Sequence, residues 1–255
     1  MRALPQEIQF AKFLLDVGDG KLNDSDDVLN IDHFPPNCII PSEVDIVDDI
    51  YGNIFAKKEY RKSINYAILS ARNADVKEIN ERVVNLLDKT TEKVYTSIDS
   101  TENCDNAGFD NALLSIEYLN IWSPPSLPPY ELKLRLNCVV ILIRNLNAIK
   151  KGEIIFINRI TLYSSETDYP FIFKRRQFSI KVAFAMTINK AQGQTFEKIG
   201  IDLRRAVFNH GQLYVALSRV RGWNSIRIYL DDSEKKDIYA TRKTPNLIKR
   251  YEIRT

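Results

Sequence analysis

The 255-residue sequence predicts an α/β domain built on a parallel sheet. Three observations carry that prediction. Apolar runs at 198–203 and 225–230 read as buried strands, and they alternate with stretches of helical period. A further run at 64–69 leads into a helix started by Asn73 or Asp75, which buries Val76, Ile79, Val83 and Leu87 at i, i+3, i+7 and i+11. Polar residues gather where these elements end, as they do where an open parallel sheet presents a site at one edge. The length accommodates one large α/β domain with an insert and a real core.

Composition excludes several classes. Hydrophobic content of 44% and charged content of 27% fit a soluble globular chain. A net charge of +3 is too small to argue for a polyanion partner, but its distribution says more. Residues 16–49 are acidic and residues 133–190 are basic. That suits a polyanion-binding face, although a solvated surface is the commoner reason for a charge run. Cys38, Cys104 and Cys138 are far apart, there is no C-x-x-C, and His33 and His210 pair with nothing, so neither zinc nor a disulfide framework is expected. The longest apolar run, 138–143, is too short to cross a bilayer. No signal-like apolar region opens the chain, and Glu7 and Asp16 argue against a transit peptide. The expectation is a soluble, intracellular protein with no membrane partner and no metal site.

In chain order, Leu4, Ile8, Ala11 and Leu15 mark a short amphipathic helix that stops at Gly18-Asp19-Gly20. Gly20-Lys21 is a turn, since neither a following Ser or Thr nor an upstream glycine makes it a phosphate loop. Residues 21–41, with Pro35-Pro36 and Pro41, read as a loop. Ser42 is placed as N-cap, with Asp45 at the capping-box position, of a helix reaching about Tyr51. The prolines of 124–129 form a rigid lead-in to an insert. There Leu132, Leu134 and Leu136 alternate with Lys133 and Arg135 as a half-buried strand with a basic outer face. Residues 139–143 follow as a fully apolar strand. Asp231-Asp232 is a plain strand end, and 235–255 is a charged tail, helical or frayed.

Residues 183–221 carry the densest signal and are read as two helices. In the first, Phe184, Ile188 and Ala191 fall on one face, and Gly193 stops the helix. In the second, Leu213, Ala216, Leu217 and Val220 form a stripe, with Gln212 and Arg219 on its flank. Tyr214 is packing rather than a base-stacking residue. On pattern alone, two amphipathic helices with ordinary surface charges remain an equal reading.

The motifs in this stretch decide between them. T-I-N-K-A-Q-G-Q-T followed by G-Q-L-Y-V-A-L-S-R-V resembles the fifth and sixth helicase motifs of PIF-type DNA helicases. These are RecD-like members of superfamily one that include Helitron enzymes. The resemblance extends through F-A-K-F-L-L-D-V-G-D-G, through I-L-S-A-R-N-A-D-V-K-E-I-N (the fourth motif), through S-L-P-P-Y-E-L-K-L-R-L-N-C-V-V-I-L-I-R-N-L-N (the small two-B insert) and through F-K-R-R-Q-F-S-I-K-V. The chain departs from the family after Asn147, where a glycine-rich turn and further strands are replaced by a short run through Gly152. A shortened barrel with unpaired edges is expected there. No G-x-x-x-x-G-K-[S/T] and no strand ending in Asp-Glu occurs in these residues.

The resemblance implies a P-loop-NTPase-like (RecA-like) second motor domain with a parallel sheet and a small β insert. It divides the chain into a leader (1–60), a first part with the fourth motif (61–123), the insert (124–160), a second part with motifs five and six (161–232) and a tail (233–255). It implies Arg219 as the arginine finger on the γ-phosphoryl group, with Gln192, Gly193, Thr195 and Arg72 near the nucleotide. Thr187, Asn189, Lys190 and Ser70 would face single-stranded DNA. Arg175 and Arg176 are backbone contacts or a solvated loop, and for Arg72 the resemblance favours a role near nucleotide or DNA over that of a surface arginine at a loop. ATP and magnesium enter only with a first motor domain, which supplies the phosphate loop and metal carboxylates. Partners are single-stranded DNA and a first motor domain or another helicase subunit, in the nucleus or mitochondrion. Besides half of an ATP-dependent, 5′-to-3′ helicase, two readings stand: an inactive module binding single-stranded DNA or protein, and a transposon-derived fragment. On its own the chain is expected to hydrolyse no ATP.

Overall fold

A five-stranded, wholly parallel sheet forms the centre of the structure, a computed structural model that describes residues 4–23, 28–41, 43–102, 116–124, 126–144, 154–164, 171–204, 211–230 and 237–239. The chain begins with α1 (Ile8–Gly18), β1 (Val28–Asn30) and β2 (Ile39–Ile40). A π-helical turn (Asp48–Gly52) then runs into α2 (Asn53–Ala56). After these come β3 (Tyr66–Ser70) and α3 (Asn73–Asn85). The insert-like region holds β4 (Lys93–Thr96), β5 (Ile98–Glu102), α4 (Ile116–Ile121), β6 (Glu131–Leu134), β7 (Val140–Leu142), β8 (Arg159–Tyr163), β9 (Ile172–Phe178) and β10 (Ile180–Val182). The chain returns through β11 (Ala185–Thr187), β12 (Lys198–Asp202), α5 (Gln212–Leu217), β13 (Ile226–Tyr229) and β14 (Asp237–Tyr239).

The sheet order is β11-β3-β12-β13-β2. Strands covered on both faces need apolar residues at nearly every position, and β3 and β12 have them. Ala67, Leu69, Ile199, Ile201, Ile226 and Ile228 pack against Phe10, Leu14 and Val17 of α1 and against Leu213, Ala216 and Leu217 of α5. Ile68 and Ala185 join a second core with Ile46, Ile50, Ile54 and Phe55, and with Ile79 and Val83 of α3. Gly200 lets the helical run 46–56 approach the sheet, because a Cβ there would stand 3.1 Å from Ile50 Cγ1 and 3.4 Å from two Ile46 carbons. The antiparallel region is built from β5-β9-β8 and the pairs β4-β6 and β7-β10. Its own small core contains Leu119, Leu127, Leu162 and Phe173.

The α/β class and the parallel sheet match the reading of the sequence, while several elements differ. The first helix expected at 183–192 is instead β11 and a turn. Ala185–Thr187 pairs in parallel with Ile68, Leu69 and Ser70. Phe184 belongs to one core and Ile188 and Ala191 to the other, so the helical stripe was residues serving opposite faces of a sheet. In α1 the buried stripe is Phe10, Leu14 and Val17, whereas Ile8 is 73% and Leu15 51% exposed. Aromatic packing explains that rotation, since Phe10 and Phe13 lie 5.0 and 4.6 Å from the Trp223 ring.

The stretch taken as loop, 21–41, supplies the sheet's edge strand β2 and the strand β1, which pairs with β14. β14 also places a strand in the supposed tail. Asp45 caps the next helix, accepting from the Val47 and Asp48 amides at 2.8 and 3.2 Å, and the helix continues past Tyr51 to Ala56. β7 is not buried, with Val140 and Ile141 more than a third exposed, and Leu136 is 67% exposed. Ser42, Cys104, residues 145–153, His210 and Asp231-Asp232 lie outside the described residues.

Candidate functional site

Parallel register brings three side chains into one row at the carboxyl edge of the sheet. Thr187 of β11 is opposite Ser70 of β3, and Ser70 is opposite Asp202 of β12. This edge is where open α/β sheets place ligands. Ser70 is buried, with its Oγ 3.5 Å from Asp75 Oδ2 in the first turn of α3. Arg72 is the N-cap residue of that helix. Asp202 is buried and receives two bonds from Arg204, each 2.8 Å.

The backbone that delivers Thr187 is held from behind. Asn80 of α3 acts as a substitute strand, since its Nδ2 donates to the Ala185 carbonyl and its Oδ1 accepts from the Ala185 amide, both at 2.9 Å. The buried Tyr51 hydroxyl sits 2.7 Å from the Phe184 carbonyl. Burial drives the Tyr51 phenol well above its ordinary pKa, so it is a neutral strut.

After Thr187 the chain makes a tight turn. The Ile188 amide donates to Ser70 O at 3.0 Å, and the amides of Lys190 and Ala191 return to Thr187 O at 2.9 and 3.1 Å. Gly193 has φ +89°, with nothing near an added Cβ, so the backbone angle rather than space selects glycine. Asn189, Lys190, Gln192, Gly193 and Thr195 are all exposed on this turn.

α5 locks onto the same turn. Arg219, one turn past Val215, donates from Nε to the Val215 carbonyl (2.7 Å) and from Nη1 to the carbonyls of Ala191 and Gln194 (3.3 Å each). Its Nη2 donates to Ser218 Oγ at 2.6 Å. The Phe196 amide donates to the Arg219 carbonyl at 2.9 Å, and Gln212 Nε2 reaches Asn189 Oδ1 at 3.3 Å. The structure therefore collects Ser70, Thr187, Asn189, Lys190, Gln192, Gly193, Thr195 and Arg219 on neighbouring elements at one edge. Nearby, Lys181 of β10 is pulled down to about 8, chiefly by burial and then by the charges of Lys190 and Arg175.

Two of the basic residues expected to contact a nucleic-acid backbone are elsewhere or otherwise engaged. Arg175 is fully buried in the antiparallel region, with Nε and Nη2 donating to Asp99 at 2.9 and 2.6 Å and further bonds to the carbonyls of Pro128 and Trp122. A side chain so enclosed touches no solvent ligand. Arg135 was placed on an outer basic face, but it is 7% exposed and caps the end of α3 through the Val84 and Leu87 carbonyls (2.9 Å each) while pairing with Glu92. Arg176 is exposed on β9.

The reading of the sequence missed Asp202, Arg204 and Asn80, and noted Gln212 only as a flank. Asp202 was within reach, because it ends a recognised strand at the sheet's carboxyl edge. Among the described residues no group of three His, Cys, Asp or Glu side chains could hold a metal ion. Asp202 is neutralised by Arg204, so these residues do not fit a magnesium site. No helix among the described residues is long and apolar enough to cross a membrane.

No protein-family model matches the chain. Among curated proteins, 53 residues, 21% of this chain, are 51% identical to the ATP-dependent DNA helicase Pif1 of Campylobacter jejuni, covering 12% of it. Over 79 residues, 31% of this chain, identity is 37% to the ATP-dependent DNA helicase RRM3 of Saccharomyces cerevisiae, covering 10% of that protein. The Pif1 helicase from Candida albicans superposes with a TM-score of 0.60 at 18% identity, over 93% of this chain and 56% of that one. A Bacteroides Pif1 solved bound to single-stranded DNA gives 0.53 at 22%, over 89% and 50%. The chain thus spans about half the length of these solved helicases, and its sequence matches span about a tenth of the curated ones. It is similar to PIF-type DNA helicases in sequence and has the RecA-like fold of their motor domains.

Proposed function

We propose that this chain, similar in sequence and fold to PIF-type DNA helicases, forms the second motor domain of an ATP-dependent DNA helicase. In that reading Arg219 acts on the γ-phosphoryl group, with Gln192, Gly193, Thr195 and Arg72 beside the nucleotide. Thr187, Asn189, Lys190 and Ser70 follow the single strand. Arg176, exposed on β9, remains a backbone contact. A first motor domain supplies the phosphate loop and the carboxylates that hold magnesium, and movement runs 5′ to 3′. The work is unwinding in replication, repair, recombination or transposition, in the nucleus or mitochondrion.

One observation carries the reading. The arginine assigned to nucleotide is hydrogen-bonded to the turn whose side chains are assigned to nucleic acid, so a single rigid edge contains both halves of a coupling device. The test fuses this chain behind a first motor domain from a relative and measures ATPase rate against single-stranded DNA concentration. An arginine finger stabilises charge that develops in the transition state, so Arg219→Ala lowers the plateau roughly 10³-fold or more, and lysine does not restore it. A plateau within about threefold of the parent, under 1 kcal/mol, removes Arg219 from catalysis. Binding without turnover in the fusion itself would favour the inactive DNA-binding module.

A further inference from the structure

Arg219 has more to do in this structure than await a phosphate. Its Nη1 bonds the carbonyls of Ala191 and Gln194, on the turn that presents Asn189 and Lys190, and its Nε bonds Val215 at the end of α5. Ser218 fixes the fork in that direction, since its Oγ accepts from Arg219 Nη2 at 2.6 Å and donates to the Val215 carbonyl at 2.9 Å. Two further links run parallel to it, the Phe196 amide to the Arg219 carbonyl and Gln212 to Asn189.

We infer that Arg219 is a positioning residue for nucleic acid, a clasp that holds the 188–195 turn in the shape that presents Asn189 and Lys190 to a single strand. The inference rests on the reading of that turn as nucleic-acid-facing, and it adds a second state. A guanidinium has five N–H donors in a fixed fork, and both hydrogens of Nη1 are committed to Ala191 and Gln194. Swinging to a phosphate withdraws donors from both carbonyls at once. The turn then keeps only the Phe196 and Gln212 links, and Lys190 is held less firmly. Arg219→Ala imitates the withdrawn state without any nucleotide.

The experiment uses the 255-residue chain alone, with a fluorescent oligothymidine probe at low salt and amide hydrogen exchange on the same samples. Arg219→Ala is expected to speed exchange at Lys190, Ala191 and Gln194 roughly tenfold while the amides of β3 and β12 keep parental rates. Probe affinity falls several-fold, and the slope of log affinity against log salt stays unchanged because no phosphate contact is lost. Lys190→Ala, by contrast, lowers the slope by about 0.7. Arg219→Lys, whose single ammonium can reach one carbonyl, falls between parent and alanine in both readouts and serves if the alanine variant fails to fold. Parental exchange in the variants overturns the clasp. Faster exchange with parental affinity overturns its role in positioning. A parent chain that does not bind the probe sinks the helicase reading and this inference together, whereas a binding parent with an Arg219-insensitive affinity sinks only the latter.

Discussion

The parallel sheet and the antiparallel region use the same side chain in opposite ways. At the sheet edge, Arg219 bonds main-chain carbonyls that a different conformation can release. In the antiparallel region, Arg175 is sealed against Asp99, with both side chains fully buried. Arg135 is also consumed, by the end of α3 and by Glu92. A basic stretch in a sequence is therefore not a binding surface until burial has been settled. The expected polyanion face loses two of its members to the fold and keeps Lys190 and Arg176, which are exposed.

Arg175 offers the sharpest way to break this contrast. Removing one partner of a buried ion pair leaves an uncompensated charge, which costs about 3–5 kcal/mol. Arg175→Met should therefore lower stability by that amount in urea denaturation, with the loss concentrated in the packing around Leu119, Trp122 and Phe173. Replacing Asp99 with Leu as well should recover part of it, because no buried charge then stands alone, while the Pro128 and Trp122 carbonyls stay unpaired. A single variant as stable as the parent would return Arg175 to the surface and to the list of nucleic-acid contacts.

A smaller effect is expected at Asn80, on the sheet side of the comparison. Asn80→Leu leaves the amide and carbonyl of Ala185 without their partner, and a buried unsatisfied group costs about 1–3 kcal/mol. Stability should fall by about 2 kcal/mol, and hydrogen exchange at Ala185 should rise more than at Ile199 or Ile201 of the neighbouring strand. Unchanged protection at Ala185 would mean that β11 holds its edge position through β3 alone.

How far these features were legible follows from the range of each interaction. β3, α3, β12, α5 and β13 announced themselves through local period, and the residues of the family motifs fall together at one edge of the sheet. The error at 183–192 arose because Phe184, Ile188 and Ala191 satisfy a helical period by accident, while the decisive partners, Asn80 and Ile68, are more than a hundred residues away. Residues 39–40 read as loop in the sequence because a two-residue edge strand has no period to detect. Arg175 and Arg135 looked like surface because Asp99 and Glu92, which neutralise them, lie in other strands and loops. Charge in the sequence is visible, whereas its compensation is tertiary.

A further effect is a pH dependence at the seam between the two regions. Lys181 lies on β10, three residues before the Phe184 that Tyr51 holds, and it is half-buried beside the charges of Lys190 and Arg175. Burial first, and then those two cations, bring its ammonium from 10.5 down to about 8 in the folded chain. The sign follows from proton counting. Between pH 8 and 10.5 the unfolded chain binds more protons at this residue than the folded one, so stability rises with pH across that window. The contribution is complete above 10.5 and is lost as pH falls through 8. Lys181→Met removes the buried charge, so the variant should have the higher urea midpoint at pH 7, with the advantage shrinking through pH 9 and vanishing near 10.5. Lys190→Ala in the same background should narrow the gap at pH 7, because one of the two repelling charges is gone. A midpoint difference that stays constant from pH 7 to 10.5 would show that Lys181 keeps an ordinary ammonium, and that the positive field at the sheet edge does not extend to β10.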